Sequence, residues 1–334
     1  MMSAMDKAIL VTGGAGFIGS NIVAALSEQG KAVVVCDWLE EGEKWKNVAK
    51  HVISDFVNPD ALEYWLGENG DTIEAIIHMG AISATTETNG DLILERNFRP
   101  TLMLWNWATA MQVPFIYASS AATYGDGSGG FDDNEQEGAL KNLHPLNLYG
   151  WSKHAFDKHV ARELTHGATT PPQWAGLKFF NVYGPNEYHK GSMKSVIAQC
   201  YPKVAAGEGV TLFKSHNPDY EDGGQLRDFV YVKDCVDVVL WLLDNPQVSG
   251  LFNLGTGKAR SFKDLASAVF KAAGQPEDIS YIDTPAQIRD KYQYFTEANM
   301  QKLRSLGFGG NFHSLEDGIA DYVTDYLAKD DPYR

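Results

Sequence analysis

The chain has little to offer a nucleic acid or a membrane. Its 334 residues carry 28 Lys and Arg against 43 Asp and Glu, a formal net charge of -15. That balance argues against a polyanion or an anionic lipid surface as the main partner, although a local basic pocket can still hold a small anion. No run of 18 apolar residues occurs, and Met1–Asp6 lacks the positive-then-apolar pattern of an export signal, reading instead as a short disordered extension. Cysteine is scarce: Cys36, Cys200 and Cys235 are odd in number, far apart and without metal-ligand spacing. They read as reduced thiols of a cytoplasmic protein, with no metal site. Internal repeats and low-complexity tracts are missing too. What is there is a 44% hydrophobic content, enough for the core of one large domain or two interleaved ones.

The apolar run Ala8–Thr12 reads as a buried strand, followed at once by Gly13-Gly14-Ala15-Gly16-Phe17-Ile18-Gly19 and a helical pattern that stops at Gly30. Strand, glycine turn and helix together suggest a dinucleotide site. Gly13 permits the tight turn, Gly16 lets backbone approach a pyrophosphate, and Gly19 lets the helix pack close. The helix N-terminus offers amide donors. The spacing is G-x-x-G-x-x-G rather than G-x-G-x-x-G. A second strand, Ala32–Cys36, ends in Asp37, about 20 residues past the turn, where a carboxylate accepts from an adenosine ribose and favours NAD. Lys44 and Lys46 follow and offer cations to a 2′-phosphate, which favours NADP.

Val52–Asp55 reads as a third strand and Ala75–Met79 as a fourth, running into Gly80-Ala81. His78 in that strand reads as a packed histidine. A helix is expected from Asp91 to Met111, carrying Asn97, then a fifth strand, Pro114–Ala118, with Ser119-Ser120 at its carboxyl end. Ligands of open α/β sheets collect at such ends. Residues 125–145, rich in Gly, Asp and Asn, read as a loop able to cover the site. Tyr149 then opens a helix to about Leu164. Tyr149 and Lys153 share one helical face. An ammonium near a phenol lowers its pKa from about 10 and makes it a proton shuttle; a chance pair on a surface helix is the ordinary alternative. Alternating strands and helices predict an α/β, doubly wound parallel sheet.

The combination of Thr12–Gly19, Ser119-Ser120 and Tyr149-x-x-x-Lys153 resembles the extended short-chain dehydrogenase/reductase superfamily over nearly the whole chain. The resemblance implies a Rossmann-type domain (1–179, 230–257 and 301–334) with a smaller interleaved α/β domain for a nucleotide sugar (180–229 and 258–300). It implies Tyr149 as acid/base, Lys153 as the residue that depresses its pKa and holds the nicotinamide ribose, and Ser120 as the hydroxyl that orients substrate. Within the superfamily, His189-Lys190-Gly191-Ser192-Met193 is similar to a signature of the ADP-glycero-manno-heptose 6-epimerase family. Tyr117–Gly125, Arg227–Val232, Phe252–Gly257 and Tyr292-Gln293-x-Phe295-Thr296 agree.

That likeness implies inversion of C6 of an ADP-heptose, in lipopolysaccharide core biosynthesis, by oxidation and re-reduction with a tightly bound cofactor in a homo-oligomer. Inversion uses both faces of one carbon, which implies two proton donors, and the likeness makes Lys190 the second. On the residues alone, Lys190 reads as a phosphate-binding or solvated loop lysine. Implied cofactor contacts are Gly13, Gly16, Phe17, Ile18 and Gly19; Asp37, Trp38 and Lys44; Met79, Gly80, Ala81 and Ser83; Asn97; and Tyr149, Lys153, Val182 and Lys190. Implied substrate contacts are Ser120, Asn181, Ser192, Gln199, Phe213, Arg227 and Tyr292. The chain departs from the family at Met79, where a glutamate is usual, at Asn58-Pro59, where a lysine is usual, and at Gln199, where a histidine is usual. The loop 216–224 is also longer and more acidic. NADP is expected first by family, with NAD as the alternative. Rival readings are a nucleotide-sugar 4-epimerase, reductase or dehydratase, and an idle dinucleotide-binding sensor. Ala121-Ala122-Thr123 after Ser120 lacks the acidic pair of a dehydratase.

Overall fold

The computed structural model describes residues 7–285, 289 and 293–334; the expectations for Met1–Asp6 and Tyr292 lie outside the described residues. A seven-stranded parallel sheet forms the centre. Its strands are β1 (Ala8–Thr12), β2 (Ala32–Cys36), β3 (Asp55–Val57), β4 (Ile73–His78), β5 (Phe115–Ser120), β6 (Trp174–Phe179) and β10 (Gly250–Leu254), in the order β10-β6-β5-β4-β1-β2-β3. β1, β6 and β10 are buried along their whole length. In β1 this gives a continuous apolar run rather than an alternating one, while β6 and β10 bury Lys178 and Asn253 within theirs. The strand order reverses between β1 and β4, and a ligand crevice belongs at that switch point.

The remaining strands make two smaller sheets. β7 (Asn181–Tyr183), β9 (Leu226–Tyr231) and β11 (Ala259–Ser261) form one, in the order β11-β9-β7; β8 (Val210–Phe213) pairs with β12 (Ile279–Ile282) in the other. Helix α1 (Phe17–Glu28) ends where expected, at Gly30 with φ +71°. The helix Leu315–Tyr322 near the carboxyl end is capped by Ser314, whose Oγ accepts from Asp317 N at 3.1 Å, as an S-x-x-D pattern leads one to expect. Among the described residues no helix is long and apolar enough to cross a membrane. The three cysteines are buried and unpaired.

Three expectations shift. The third strand runs over Asp55–Val57, not Val52–Asp55: Val52 is 83% exposed, and pairing with β2 starts only at Val34 opposite Asp55. The helix expected over 91–111 is interrupted by a widened π turn, Leu94–Phe98, before a regular helix at Arg99–Met111. Pro100 stands just past the turn; it has no N–H to donate and its ring crowds the preceding turn, which disfavours the regular ladder there. The segment 125–145 is tied down away from the cavity rather than laid over it. Asn253 N donates to Asp133 Oδ2 at 2.8 Å, and Asn253 Nδ2 to the Phe131 carbonyl at 2.8 Å.

The helix Leu148–Thr165 carries Tyr149 and Lys153, and a buried polar knot sets its position. Asp157, with no exposure, accepts from Ser119 Oγ at 2.7 Å, Tyr117 OH at 3.1 Å and Lys178 Nζ at 2.6 Å. Lys178, equally buried, also donates to Thr123 Oγ1 at 2.9 Å. The helix is thereby fastened to β5 and β6. Asp157→Ala strands the Lys178 charge in the core, so unfolding in urea should show a loss of about 3–5 kcal/mol. Removing the surface pair Lys141–Glu137 should leave the urea midpoint nearly unchanged.

Candidate active site

A cavity of about 1280 Å³ opens over the carboxyl ends of the strands, at the switch point between β1 and β4. Gly13 turns the chain out of β1 with φ +63°, and its N–H donates to Cys36 O at 2.8 Å. A Cβ there would lie 2.6 Å from Gly80 N, so the turn and the β4 exit touch backbone to backbone. At Gly19 a Cβ would lie 2.1 Å from Gly13 O, which binds α1 closely under the turn. Gly16 is the N-cap residue of α1 and provides no side-chain cap, leaving the first amides available to an anion.

Asp37 is nearly buried and does two jobs. Its Oδ2 accepts from Ala15 N at 2.9 Å, holding the glycine turn; its Oδ1 accepts from Trp38 N at 2.8 Å and from Lys44 Nζ at 2.9 Å. Lys44 also donates to Trp38 O at 2.7 Å. The two residues expected to pull cofactor preference in opposite directions are thus paired with each other. Trp38, Met79, Gly80, Ala81, Ser83 and Val182 all line the cavity, as do Phe17 and Ile18.

Ser120 ends β5, and its Oγ accepts from Ala122 N at 3.1 Å. Burial pushes the Tyr149 pKa above its ordinary value, with the nearby Ser120 hydroxyl acting in the opposite sense. Lys153 is buried, its Nζ has no hydrogen-bond partner, and burial pulls its own pKa down to about 8. A buried ammonium without acceptors fits a site completed by ligand hydroxyls. With the glycine turn and the uncapped helix, it shows that these residues suit a nicotinamide dinucleotide.

Lys190 enters the same cavity from the turn Tyr188–Met193. Its Nζ lies 5.4 Å from the centre of the Phe17 ring. Burial lowers its pKa, with the Glu187 carboxylate acting in the opposite sense. Asn181 also lines the cavity.

Other expected contacts stand elsewhere. Asn97 is spent on structure: Oδ1 accepts from Ile82 N at 2.8 Å, while Nδ2 donates to Ile82 O and Ser152 Oγ, each at 3.0 Å. Ser192 and Gln199 are exposed outside the lining and meet each other, Gln199 Nε2 donating to Ser192 O at 3.3 Å. Phe213 ends β8, also outside it. Arg227 donates to Leu226 O at 2.8 Å and to Gln293 O, and lies 5.8 Å from the ring of Phe262, itself a cavity residue.

The cavity also contains residues to which no motif gave a role, chiefly Arg96 and His189. His189 lies within the quoted His189–Met193 stretch, so its neighbours were a signal. Arg96 had none, since its place depends on the π turn. His78 is packed, as expected, bonded to Thr12 Oγ1 at 2.6 Å and Thr101 Oγ1 at 2.8 Å, and burial pushes its pKa to about 3. Gly13→Ala should lose about 1–2 kcal/mol from the positive φ alone, more from the clash with Gly80. A lowered urea midpoint together with lost dinucleotide binding is the expected result.

The NAD dependent epimerase/dehydratase family model matches residues 9–255. An ADP-L-glycero-D-manno-heptose-6-epimerase of Fusobacterium nucleatum is 48% identical, covering 97% of this chain and 99% of the relative. One from Nitratidesulfovibrio vulgaris is 50% identical with the same coverage. Among solved structures, the Helicobacter pylori enzyme of that name superposes with a TM-score of 0.77 at 28% identity, covering 97% of this chain and 98% of that one. A Thermus thermophilus UDP-glucose 4-epimerase in complex with NAD superposes at 0.73 with 27% identity, covering 95% and 97%. With more than half its length matched by the model and full-length relatives near 50% identity, the chain belongs to the NAD dependent epimerase/dehydratase family.

Proposed function

We propose that the protein inverts C6 of ADP-D-glycero-β-D-manno-heptose to give the L-glycero epimer, in the supply of heptose to the lipopolysaccharide core. The observation that carries this reading is that one cavity receives two separate groups able to exchange a proton, Tyr149 and Lys190, from different elements. The substrate follows from the names of the relatives near 50% identity.

A carbinol carbon such as C6 is too weakly acidic for direct proton exchange, so its inversion goes through a planar ketone. The chemistry that a bound nicotinamide supplies is reversible hydride transfer at that carbon. The protein's own task is to hold the sugar and to move the hydroxyl proton on either face. Ser120 binds the reacting oxygen. Tyr149, in the same cavity as Ser120, takes and returns the proton on one face. Lys190, whose pKa burial lowers, serves the other. Lys153 holds ribose hydroxyls, and the charge this retains brings the Tyr149 pKa down. Gly13, Gly16, Asp37 and Lys44 hold the rest of the dinucleotide, which stays bound because each turnover regenerates it; NADP is the preferred form and NAD the alternative. Residues 180–229 and 258–300 form the sugar-binding part, with Asn181 on the sugar and Arg227 beside the diphosphate. The enzyme works in the cytoplasm as a homo-oligomer.

Incubation with ADP-D-glycero-D-manno-heptose, followed at C6 by NMR, should show inversion. Absence of inversion combined with C4 inversion of a UDP-hexose would replace this reading with a 4-epimerase. Tyr149→Phe and Lys190→Met should each slow turnover by at least about a hundredfold, the scale of lost acid–base catalysis. Near-normal turnover in Lys190→Met would reduce Lys190 to a binding residue.

A further inference from the structure

Arg96 stands on the π turn Leu94–Phe98 and lines the cavity at its adenosine end, beside Trp38, Asn58 and Asp60. Its guanidinium carbon lies 4.5 Å from the centre of the Trp38 ring. Nη1 donates to Asp60 Oδ1 at 3.0 Å, and Trp38 Nε1 approaches Asp60 Oδ2 at 3.4 Å. Trp38 directly follows Asp37, and its carbonyl is held by Lys44. Two cations from separate elements therefore flank one residue: Lys44 on its backbone, Arg96 across its ring.

We propose that Arg96 is a specificity-determining residue for the cofactor, gripping with Lys44 a phosphomonoester on the adenosine ribose so that NADP is held in preference to NAD. This rests on the dinucleotide site proposed above. An indole face holds a guanidinium plane by stacking and leaves its edge free to donate, and a forked donor suits a phosphate. The opposing charges at this end are Asp37, Glu40, Asp60 and Glu95. Asp37 is already engaged by Lys44 and by the amides of Ala15 and Trp38. Asp60 and Glu95 are 69% and 64% exposed, and Glu40 is exposed as well, so water screens all three. An exposed ion pair contributes little, and Arg96 can exchange Asp60 for a dianion. Lys44, only 13% exposed and fixed by two acceptors, is already in place. In the same corner of the cavity Asn58 Oδ1 accepts from Asp60 N at 2.9 Å, so Arg96 is the cation there.

The test is calorimetric titration of NADP and NAD, without sugar, into protein freed of resident nucleotide. Wild type should bind NADP at least about tenfold more tightly than NAD, and Arg96→Gln should weaken NADP by at least about tenfold while leaving NAD within about twofold. Asp60→Asn removes the carboxylate that competes for Arg96 and should tighten NADP without changing NAD. The proposal is overturned if wild type prefers NAD, if Arg96→Gln weakens both nucleotides equally, or if it leaves their ratio unchanged. Preserved NADP selectivity in a protein that does not turn over ADP-heptose would count against the proposed reaction and leave the assignment of Arg96 standing.

Discussion

One buried carboxylate fixes the geometry on which the site depends. Tyr149, Lys153 and Asp157 recur every four residues along a single helix, so they share a face and succeed one another by a turn. Asp157 is the member that meets the sheet, through Ser119, Tyr117 and Lys178. Ser119 is the immediate neighbour of Ser120. The bond that sets the helix against β5 therefore also sets Tyr149 toward the Ser120 end of that strand, in the same cavity. Replacing the knot by apolar residues could preserve stability, since buried ion pairs seldom exceed a well-packed apolar alternative. It would not preserve the register of the helix against the strand, because apolar contacts are not directional.

Lys190, proposed above as the second acid–base group, is held by an independent set of contacts. Glu187, buried three residues before Lys190, accepts from Ser195 Oγ at 2.6 Å and Tyr322 OH at 3.1 Å. On the opposite flank, Asn47 Nδ2 donates to Ala15 O at 2.8 Å and to Asn186 O at 3.2 Å. The turn carrying Lys190 is thus pinned both to the glycine turn and to the carboxyl-terminal helix. Tyr149 belongs to the central sheet's own helix, while Lys190 reports the meeting of distant parts of the chain.

That contrast explains what could be seen in the sequence. The glycine turn, Asp37, the Ser120 strand end and the Tyr149–Lys153 spacing are local, so a short stretch of chain determines each of them. Four of the seven parallel strands, β1, β2, β4 and β5, follow from their apolar runs for the same reason. The start of β3 was misplaced because Val52 is β-branched yet exposed, and pairing with β2 outweighs propensity. Arg96 was missed because its direction depends on the π turn before Pro100. Asn97, expected on the ligand, bonds Ile82 and Ser152 with its side chain, and Ser192 and Gln199 are exposed outside the cavity lining. The pairing of Lys44 with Asp37, and the burial that raises rather than lowers the Tyr149 pKa, are tertiary effects with no signature in residue spacing.

The solitary Lys153 ammonium has a consequence for protons. Burial holds its pKa down at about 8; ribose hydroxyls accepting from it, as proposed above, would stabilise the charged form and raise that value. Ligand binding near that pH therefore draws a proton from solvent, and affinity declines as the medium becomes more alkaline. The heat of binding then contains the ionisation heat of whatever buffer surrendered the proton. A resident nucleotide is in this sense also a stored proton, returned to solvent only when the nucleotide leaves.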